Sequence, residues 1–332
     1  MWRRKKPKER KPSRLARWWA GLDGQFRRAV WRNLCWIAAT AILAAGAVAG
    51  MKAMERRVLQ SASAAPPVAV RVALVDYPDW MPPSLVRQIA ASMLPPHASF
   101  HDAALTSRVF TRASASPWVR EATRVVKRMQ DSAGVIEICA SYRKPLAKVR
   151  AGDRYEFVDR DGVRLPADEA PQWISLDSAR TAVFIDRSEA PPDRQVARIH
   201  YVVIDGVDLA ACPVPEVGRQ WAAGDLRQGL KLVELVCSRP YANQVTAVDV
   251  RNHAGRISRR EPYLRMYAQV GAGRATDIRF GRFPVPDGAD YVVSPERKMS
   301  YLDAYVAEHN GRLAGLNSYL DLRHDELHVS IN

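Results

Sequence analysis

The chain has 332 residues and a formal net charge of +15, and this length allows about two domains beyond a membrane anchor. The charge is uneven: twelve Lys and Arg precede residue 34 against two acidic residues, so the longer remainder is only slightly basic. A folded nucleic-acid-binding domain is expected to carry a basic stripe. No such stripe is visible after residue 34, so the pattern favours a membrane over nucleic acid as the partner of the basic tail.

Residues 34–50 read LCWIAATAILAAGAVAG, and this stretch continues through Met51 without a charge or a proline. About 17 apolar residues are the lower limit for a helix that crosses the hydrocarbon core. We therefore predict a transmembrane helix over residues 34–51. Lys and Arg beside a spanning helix stay in the cytoplasm. The basic tail, residues 3–11 above all, predicts a cytoplasmic N-terminus and an extracytoplasmic body.

A cleaved signal peptide is the alternative, because residues 62–64 (ASA) resemble a cleavage site. Cleavage normally follows the apolar region closely. Here four charged residues (Lys52, Glu55, Arg56 and Arg57) intervene, and the basic region before the apolar run is too long. An uncleaved anchor is the favoured interpretation.

The segments that flank the anchor have different compositions. Residues 1–33 form a basic tail whose second half, residues 13–33, has apolar side chains at helical spacing among arginines. That pattern predicts an amphipathic helix at the lipid headgroups, or a continuation of the spanning helix. Residues 52–67 end in SASAAPP and predict a linker.

Residues 68–147 are predicted to form a first domain with the order strand, helix, helix, strand, strand. Valines alternate with other residues from Val68, which indicates a strand with one buried face. Pro82-Pro83 opens the first helix, and Pro95-Pro96 stops it. An extended segment begins at Trp118, and a turn at residues 131–134 leads into the last strand.

Residues 148–332 are predicted to form a mixed or antiparallel β domain with flanking helices, so the fold class of the chain is α+β. Asp161-Gly162 marks a hairpin turn, Asp225 is the expected cap of one helix, and Ser294-Pro295 begins another. The predicted strands beyond the hairpin are residues 198–204, 245–250, 263–269, 276–283, 319–323 and 327–331.

Three cysteines lie outside the predicted anchor: Cys139, Cys212 and Cys237. A Cys212–Cys237 disulfide is possible in an oxidising compartment, because both residues fall in the β domain. Buried free thiols are the favoured alternative.

His324 and His328 have the spacing of two zinc ligands on a helix. A zincin motif needs Glu directly after the first His, where this chain has Asp325. The segment also straddles a turn and a strand, and in an extended chain positions four apart are about 13 Å apart. We therefore expect no metal ion here.

The usual catalytic signatures are missing from the sequence. It has no G-x-S-x-G elbow and no phosphate-binding loop. We expect no cofactor, no small-molecule substrate and no catalytic residue. Paired catalytic carboxylates stay open as an alternative.

Several stretches in chain order resemble the FtsQ/DivIB family of bacterial cell-division proteins. They are residues 117–122 (PWVREA), 142–147 (YRKPLA), 157–162 (FVDRDG), 278–282 (IRFGR) followed by 298–302 (KMSYL), and 319–323 (YLDLR). Residues 187–215 and 239–262 look like insertions relative to the family pattern.

The resemblance implies a POTRA domain over residues 68–147, then the β domain. It also implies a single-pass inner-membrane protein at the division septum, a non-catalytic scaffold that links early and late division proteins by binding an FtsB/FtsL-like pair. Two rival functions stay open. One is a membrane-anchored hydrolase of the cell envelope, and the other is a POTRA-containing export or assembly protein.

A chain that ends in a strand often leaves that strand at a sheet edge, where a partner strand can add. An interior or fraying strand is the alternative, and the resemblance favours the edge because the family binds its partner with the last strand. Alternation predicts that Leu327, Val329 and Ile331 face the core, and that His328, Ser330 and Asn332 face out. The predicted partner-binding residues are Tyr319, Asp321, Arg323, Leu327, His328, Val329, Ser330 and Ile331.

Overall fold

The computed structural model describes residues 23–64, 69–131, 133–176, 182–185, 195–285 and 291–330. The chain divides into two compact units, Met1–Pro67 and Val68–Asn332. The predictions for residues 3–11, for residues 13–22 of the amphipathic segment, and for Ile331 and Asn332 lie outside the described residues.

Helix α1 (Gly24–Ala64) contains the predicted span 34–51. Among the described residues it is the one helix that is long and apolar enough to cross a membrane. The hydroxyl of Thr40 donates to the carbonyl of Trp36 at 2.9 Å, so this polar group is satisfied within the helix. Residues 24–33 belong to the same helix as the apolar residues 34–51, without a break, and the expected linker at 52–67 is helical as far as Ala64.

The first part of the body consists of β1 (Val70–Val75), α2 (Pro83–Met93), α3 (Leu105–Ala115), β2 (Val119–Gln130) and β3 (Ala133–Tyr142). The predicted element order is confirmed. The strands form a sheet in the order β1-β3-β2, with β1 parallel and β2 antiparallel to β3. Each helix buries one stripe at a four-residue spacing: Leu85, Ile89 and Met93 in α2, and Leu105, Val109 and Ala113 in α3.

The hydrophobic core of this three-stranded sheet also includes residues from the following β region. Phe157, Leu165 and Ala170 pack into it. Trp118 is 1% exposed and donates from Nε1 to Glu169 Oε2 at 2.6 Å. A shared core and a hydrogen bond from a buried indole therefore join the two parts of the body.

A nine-stranded mixed sheet follows, in the order β15-β14-β13-β12-β11-β10-β4-β5-β6. Its strands are β4 (Pro145–Ala151), β5 (Arg154–Asp159), β6 (Arg164–Leu165), β10 (Val202–Asp205), β11 (Val245–Asp249), β12 (Leu264–Ala268), β13 (Thr276–Gly281), β14 (Tyr319–Asp321) and β15 (His328–Val329). The chain changes sheets between Tyr142 and Pro145, slightly before the expected boundary at residue 147.

Two helices, α4 (Gly224–Cys237) and α5 (Pro295–Glu308), contribute buried side chains to the core of this sheet. Ser294 caps α5 as predicted, because its hydroxyl accepts from the N–H of Arg297 at 3.3 Å. The prediction that Asp225 caps α4 is wrong. Ala223 holds the cap position, and the buried carboxylate of Asp225 instead accepts from the N–H of Asp208 at 2.8 Å.

The expected single strand at residues 198–204 is divided in two. β9 (Gln195–Arg198) pairs with β7 (Trp173–Leu176), which also pairs with β8 (Ala182–Ile185) in a separate small sheet. β10 begins at Val202 and pairs with β4 and β11. The break at residues 199–201 is where the chain passes from one sheet to the other.

The cysteines of the described residues are all free thiols, so Cys212 and Cys237 form no disulfide. The expectation that the body's cysteines are buried is only partly met. Cys139 and Cys212 are half-buried, and Cys237 is exposed.

Candidate partner-binding edge

The last described strand, β15, lies at one edge of the nine-stranded sheet. It pairs antiparallel with β14, with Val329 opposite Leu320 and His328 opposite Asp321. Within the part of the chain that the structure describes, β15 has no second neighbour. Its outer side is therefore open to a further strand.

The hydrogen bonds of β15 show which backbone groups face outward. The N–H of Ser330 donates to the carbonyl of Tyr319 at 3.2 Å, so the backbone of Ser330 is directed into the sheet. Successive residues of a strand direct their backbone groups to opposite sides. The N–H and C=O of Val329 consequently point away from the sheet, where a partner strand could pair with them.

The predicted burial of this strand is wrong at two positions. Val329 lies opposite the fully buried Leu320 and so shares its face, as expected, yet Val329 is 37% exposed because no described strand lies beyond it. Ser330 was expected to face solvent but is only 7% exposed.

Ser330 is buried because its hydroxyl is part of a hydrogen-bond cluster with the start of β14. Its Oγ accepts from the N–H of Ser318 at 2.9 Å and from the N–H of Tyr319 at 3.2 Å. It also lies 2.7 Å from the hydroxyl oxygen of Ser318. This cluster fastens β15 to β14.

Beside β15, charged side chains of alternating sign cross strands β12, β13 and β14. We call this set the charge ladder; it consists of Arg265, Asp277, Arg279, Asp321 and Arg323. Asp277 lies 2.9 Å from Arg265 and 3.4 Å from Arg279, and Asp321 lies 2.7 Å from Arg323. The Arg279 guanidinium also stacks on the ring of Tyr319, with 4.0 Å to the centroid.

Asp321 is the most buried member of the ladder, with 4% of its surface exposed. Burial acts to raise its pKa, but the hydrogen bonds and positive charge of Arg323 outweigh burial, and the pKa lies below its ordinary value. Asp321 therefore stays ionised and fixes the direction of the Arg323 side chain.

Arg323 also lines a cavity of about 380 Å³ between the end of β13 and residues 259–263. We call it the basic cavity, because four cationic side chains line it and Glu261 is its one acidic residue. The cations are Arg259, Arg282, Lys298 and Arg323.

Lys298 enters this cavity from α5 and is only 1% exposed. Its Nζ donates to the carbonyl of Arg282 at 2.9 Å and lies 4.4 Å from the centroid of the Phe280 ring. Burial, with a smaller effect of the Arg282 charge, lowers the pKa of Lys298 to about 8.

The prediction that His324 and His328 lie far apart is wrong. The chain bends between them, and their ring centroids are 4.5 Å apart. Across the described ranges, no group of three or more His, Cys, Asp or Glu side chains is arranged to hold a metal ion.

Of the predicted site residues, all but Ile331 fall within the described chain. Leu327 packs against the core, whereas His328 is exposed beside the exposed Val329. The structure adds residues that the sequence analysis did not select: Arg259, Arg265, Asp277, Arg279 and Lys298. Alternating charges on residues 277 and 279 were a usable signal for the ladder, but nothing local pointed to the basic cavity.

A scan against protein-family models finds no match to this chain, and a search of curated proteins finds none either.

Proposed function

We propose that this chain is a membrane-anchored, non-catalytic scaffold of the bacterial division machinery that binds a partner at the free edge of β15. The observation that carries the proposal is the outward-facing backbone of Val329 at an open sheet edge. Strand addition at such an edge takes its affinity from backbone hydrogen bonds and its specificity from neighbouring side-chain pockets.

The surroundings of β15 define the chemistry of the partner. The basic cavity carries an excess of positive charge and shares Arg323 with the charge ladder. A partner that pairs with β15 and extends an acidic side chain past Arg323 into this cavity would gain a charge-assisted hydrogen bond there. We propose an FtsB/FtsL-like pair as the partner, on the strength of the sequence resemblance.

The fold of the first part of the body supports the same assignment. Its element order, β-α-α-β-β, agrees with the order that the resemblance implies for a POTRA domain at residues 68–147. The helix α1 supports a single-pass protein of the inner membrane, with lipid contacts along α1 and the basic tail. We propose that the tail is cytoplasmic and that the body acts at the septum. A reporter fused after Asn332 should then be active only outside the cytoplasm.

The docking edge is tested by two substitutions at one position. Val329→Pro removes the outward N–H and obstructs pairing on that side, whereas Val329→Ala keeps the backbone and loses only part of an exposed side chain. We expect the proline variant of the full chain to bind the FtsB/FtsL-like pair about tenfold more weakly, and the alanine variant to bind nearly as the parent. Co-purification from detergent-solubilised membranes measures this, with circular dichroism as the control for folding.

Ser330 is the wrong position for this test, although it lies in the same strand. Its N–H is already bonded to Tyr319, so Ser330→Pro would detach β15 from its own sheet. If Val329→Pro binds the pair like the parent, strand addition at β15 is excluded. Turnover of an envelope substrate by the body alone would favour the hydrolase instead.

A further inference from the structure

The basic cavity brings together cations from four separate parts of the chain. They come from the loop before β12, the end of β13, helix α5 and the end of β14; in that order they are Arg259, Arg282, Lys298 and Arg323. Like charges held close together destabilise a folded protein unless opposite charges compensate them. The acidic groups around the cavity therefore decide whether it has charge left for a ligand.

Two acidic side chains lie close to these cations, and both are already paired with arginines. Glu261, the one acid in the lining, forms an ion pair with Arg265, which does not line the cavity. Asp321 lies 2.7 Å from Arg323 and fixes that side chain. Neither carboxylate is therefore left to bind the other cations of the cavity.

Arg259 and Lys298 are the cations with N–H groups left for a ligand, since Arg282 already has an interaction of its own. Arg259 is exposed, and within the described part of the chain no group accepts a hydrogen bond from its guanidinium. Lys298 is buried, and its ammonium has three N–H groups for one described acceptor, the carbonyl of Arg282. The cavity thus has a buried ammonium in its wall and an uncommitted guanidinium at its rim.

Gly281 allows two of the cations to approach the same point of the cavity wall. Its φ is +82°, and a Cβ at this position would lie 2.8 Å from Cγ of Arg323 and 3.8 Å from Nζ of Lys298. Any larger residue would crowd both side chains. A glycine at such a point also lets a ligand approach the backbone closely.

The ammonium of Lys298 is the group that an anion would stabilise most. Burial lowers its pKa to about 8, Arg282 and Arg323 act in the same direction, and Asp321 opposes them. A bound anion would favour the charged form and raise this pKa again. Anion binding and protonation of Lys298 are therefore linked.

The size and walls of the cavity indicate a phosphate ester. A volume of about 380 Å³ lies within the range of small-molecule sites. Tyr263 and Tyr291 line the cavity beside the cations and offer aromatic surface to an organic group. A phosphomonoester carries close to two negative charges and three acceptor oxygens at pH 7, so it can satisfy two cations at once, whereas a carboxylate carries one charge.

We propose that the basic cavity binds a phosphomonoester carried on a small organic group, with Arg259 and Lys298 as the cations that hold the phosphate. A soluble ester and a lipid headgroup share this chemistry, and the experiment below distinguishes them. The site goes beyond the function proposed for β15. Its tests contain no partner protein, so each of the two proposals can fail without the other.

The probe is glycerol 3-phosphate, added to the full chain in a detergent that contains no phosphorus. Broadening of its phosphorus NMR resonance measures binding. Glycerate, which has a carboxylate in place of the phosphate, is the competitor. We expect glycerate to bind about tenfold more weakly than glycerol 3-phosphate, because it carries less charge. Equal affinities, or no binding of the phosphate ester, would overturn the proposal.

Two neighbouring arginines give a matched pair of variants. Both Arg259 and Arg260 are exposed, but only the side chain of Arg259 is in the lining of the cavity. We expect Arg259→Gln to bind glycerol 3-phosphate about tenfold more weakly, because a charge-assisted hydrogen bond is lost, and Arg260→Gln to bind like the parent. Equal losses in the two variants would mean that only the overall charge attracts the ester, and would overturn the site.

The contribution of the buried ammonium is tested by pH. Between pH 7 and pH 9 a phosphomonoester keeps its charge, and carboxylates, guanidinium groups and phenols mostly keep theirs. The groups of these kinds around Lys298 are Arg259, Arg282, Arg323, Glu261, Asp321, Tyr263 and Tyr291.

Lys298 loses its proton within this range, so we expect the affinity of the parent to fall about tenfold from pH 7 to pH 9. Lys298→Met should show no such fall. An affinity of the parent that stays constant would overturn the role of Lys298, and this measurement stands even if Lys298→Met fails to fold.

Amide hydrogen exchange distinguishes the two sources of the ester. The full chain is reconstituted in phosphatidylcholine vesicles, and exchange at residues 259–263 is compared after glycerol 3-phosphate is added to the buffer or phosphatidic acid to the bilayer. Slower exchange with the buffer ester alone identifies a soluble ligand, and slower exchange with phosphatidic acid identifies a lipid headgroup. Unchanged exchange with both would overturn the proposal.

Discussion

Lys298 should make the stability of the body depend on pH in a direction that is unusual for a lysine. Most lysines that gain a partner on folding have a raised pKa. Here burial lowers the pKa to about 8 from an ordinary 10.5, although Asp321 acts in the opposite direction. The side chain is 1% exposed, so solvent screening does little to weaken the effect.

The direction of this pH dependence follows from the number of protons bound in the folded and unfolded states. Between the two pKa values, about 8 in the folded state and 10.5 in the unfolded state, the unfolded chain binds more protons. Stability therefore rises with pH across this window, because the folded protein no longer holds a charged ammonium away from water. From pH 7 to pH 10 a single group with these values contributes about 2.5 kcal/mol.

Lys298→Met removes the titrating group and keeps a long apolar side chain. We expect the unfolding free energy of the parent minus that of the variant to rise by about 2.5 kcal/mol from pH 7 to pH 10. Urea unfolding of the compact unit Val68–Asn332, monitored by circular dichroism, measures the unfolding free energies of the parent and the variant. Tyr142, whose pKa burial raises to about 12, is present in both proteins, so its titration cancels in the difference.

Lys231→Met, at an exposed position of α4, is the matched control and should show no such rise. If the difference in unfolding free energy between the parent and Lys298→Met stays constant from pH 7 to pH 10, the ammonium of Lys298 is not desolvated. The account of the basic cavity would then be wrong.

Two further predictions concern stability. Trp118→Phe loses the hydrogen bond to Glu169 and part of a buried ring. It should lower the unfolding free energy, measured in urea, by about 2 to 3 kcal/mol. A change near zero would mean that the two parts of the body are not joined at Trp118. Gly281→Ala should lower the unfolding free energy by about 2 to 3 kcal/mol, because φ is +82° at this residue and a Cβ would lie 2.8 Å from Cγ of Arg323. Gly271→Ala is the control, because its φ is +56° and no atom lies within 4 Å of the added Cβ; it should lower the unfolding free energy by only about 1 kcal/mol. Equal losses in the two variants would contradict the contact with Arg323.

The first part of the body was predictable because its signals are local. Proline pairs bound α2, and the apolar spacing of Leu85, Ile89 and Met93 specifies the buried face without knowledge of what covers it. The hairpin at Asp161-Gly162 is similar, since Gly162 has a φ of +75° that suits a tight turn.

Features that depend on distant residues were not predictable. Residues 198–204 look like one strand, yet the two halves find different partners, β7 and β4, which local sequence does not specify. The burial of Lys298 was not predictable because lysine is normally exposed, and here its ammonium is accommodated by a carbonyl at the end of β13.

At the candidate edge, alternation predicted the face of Val329 but not its exposure. Burial depends on a neighbour beyond the strand, and no described strand pairs with β15 on that side. The separation expected for His324 and His328 assumed an extended chain, whereas residues between them form a bend.

The core shared by the two parts of the body limits how this protein can be recombined. Phe157, Leu165 and Ala170 follow the sheet boundary at residue 145 in the sequence, yet they share a hydrophobic core with Trp118, which precedes it. A chimera that exchanged the segment before that boundary would set a foreign helix pair against these three side chains, and Glu169 would keep a donor only if the incoming segment supplied an indole at position 118. Transfer of the first part between related chains therefore requires the segment through residue 170 to travel with it, and a deletion that ends at the boundary removes support from the nine-stranded sheet as well.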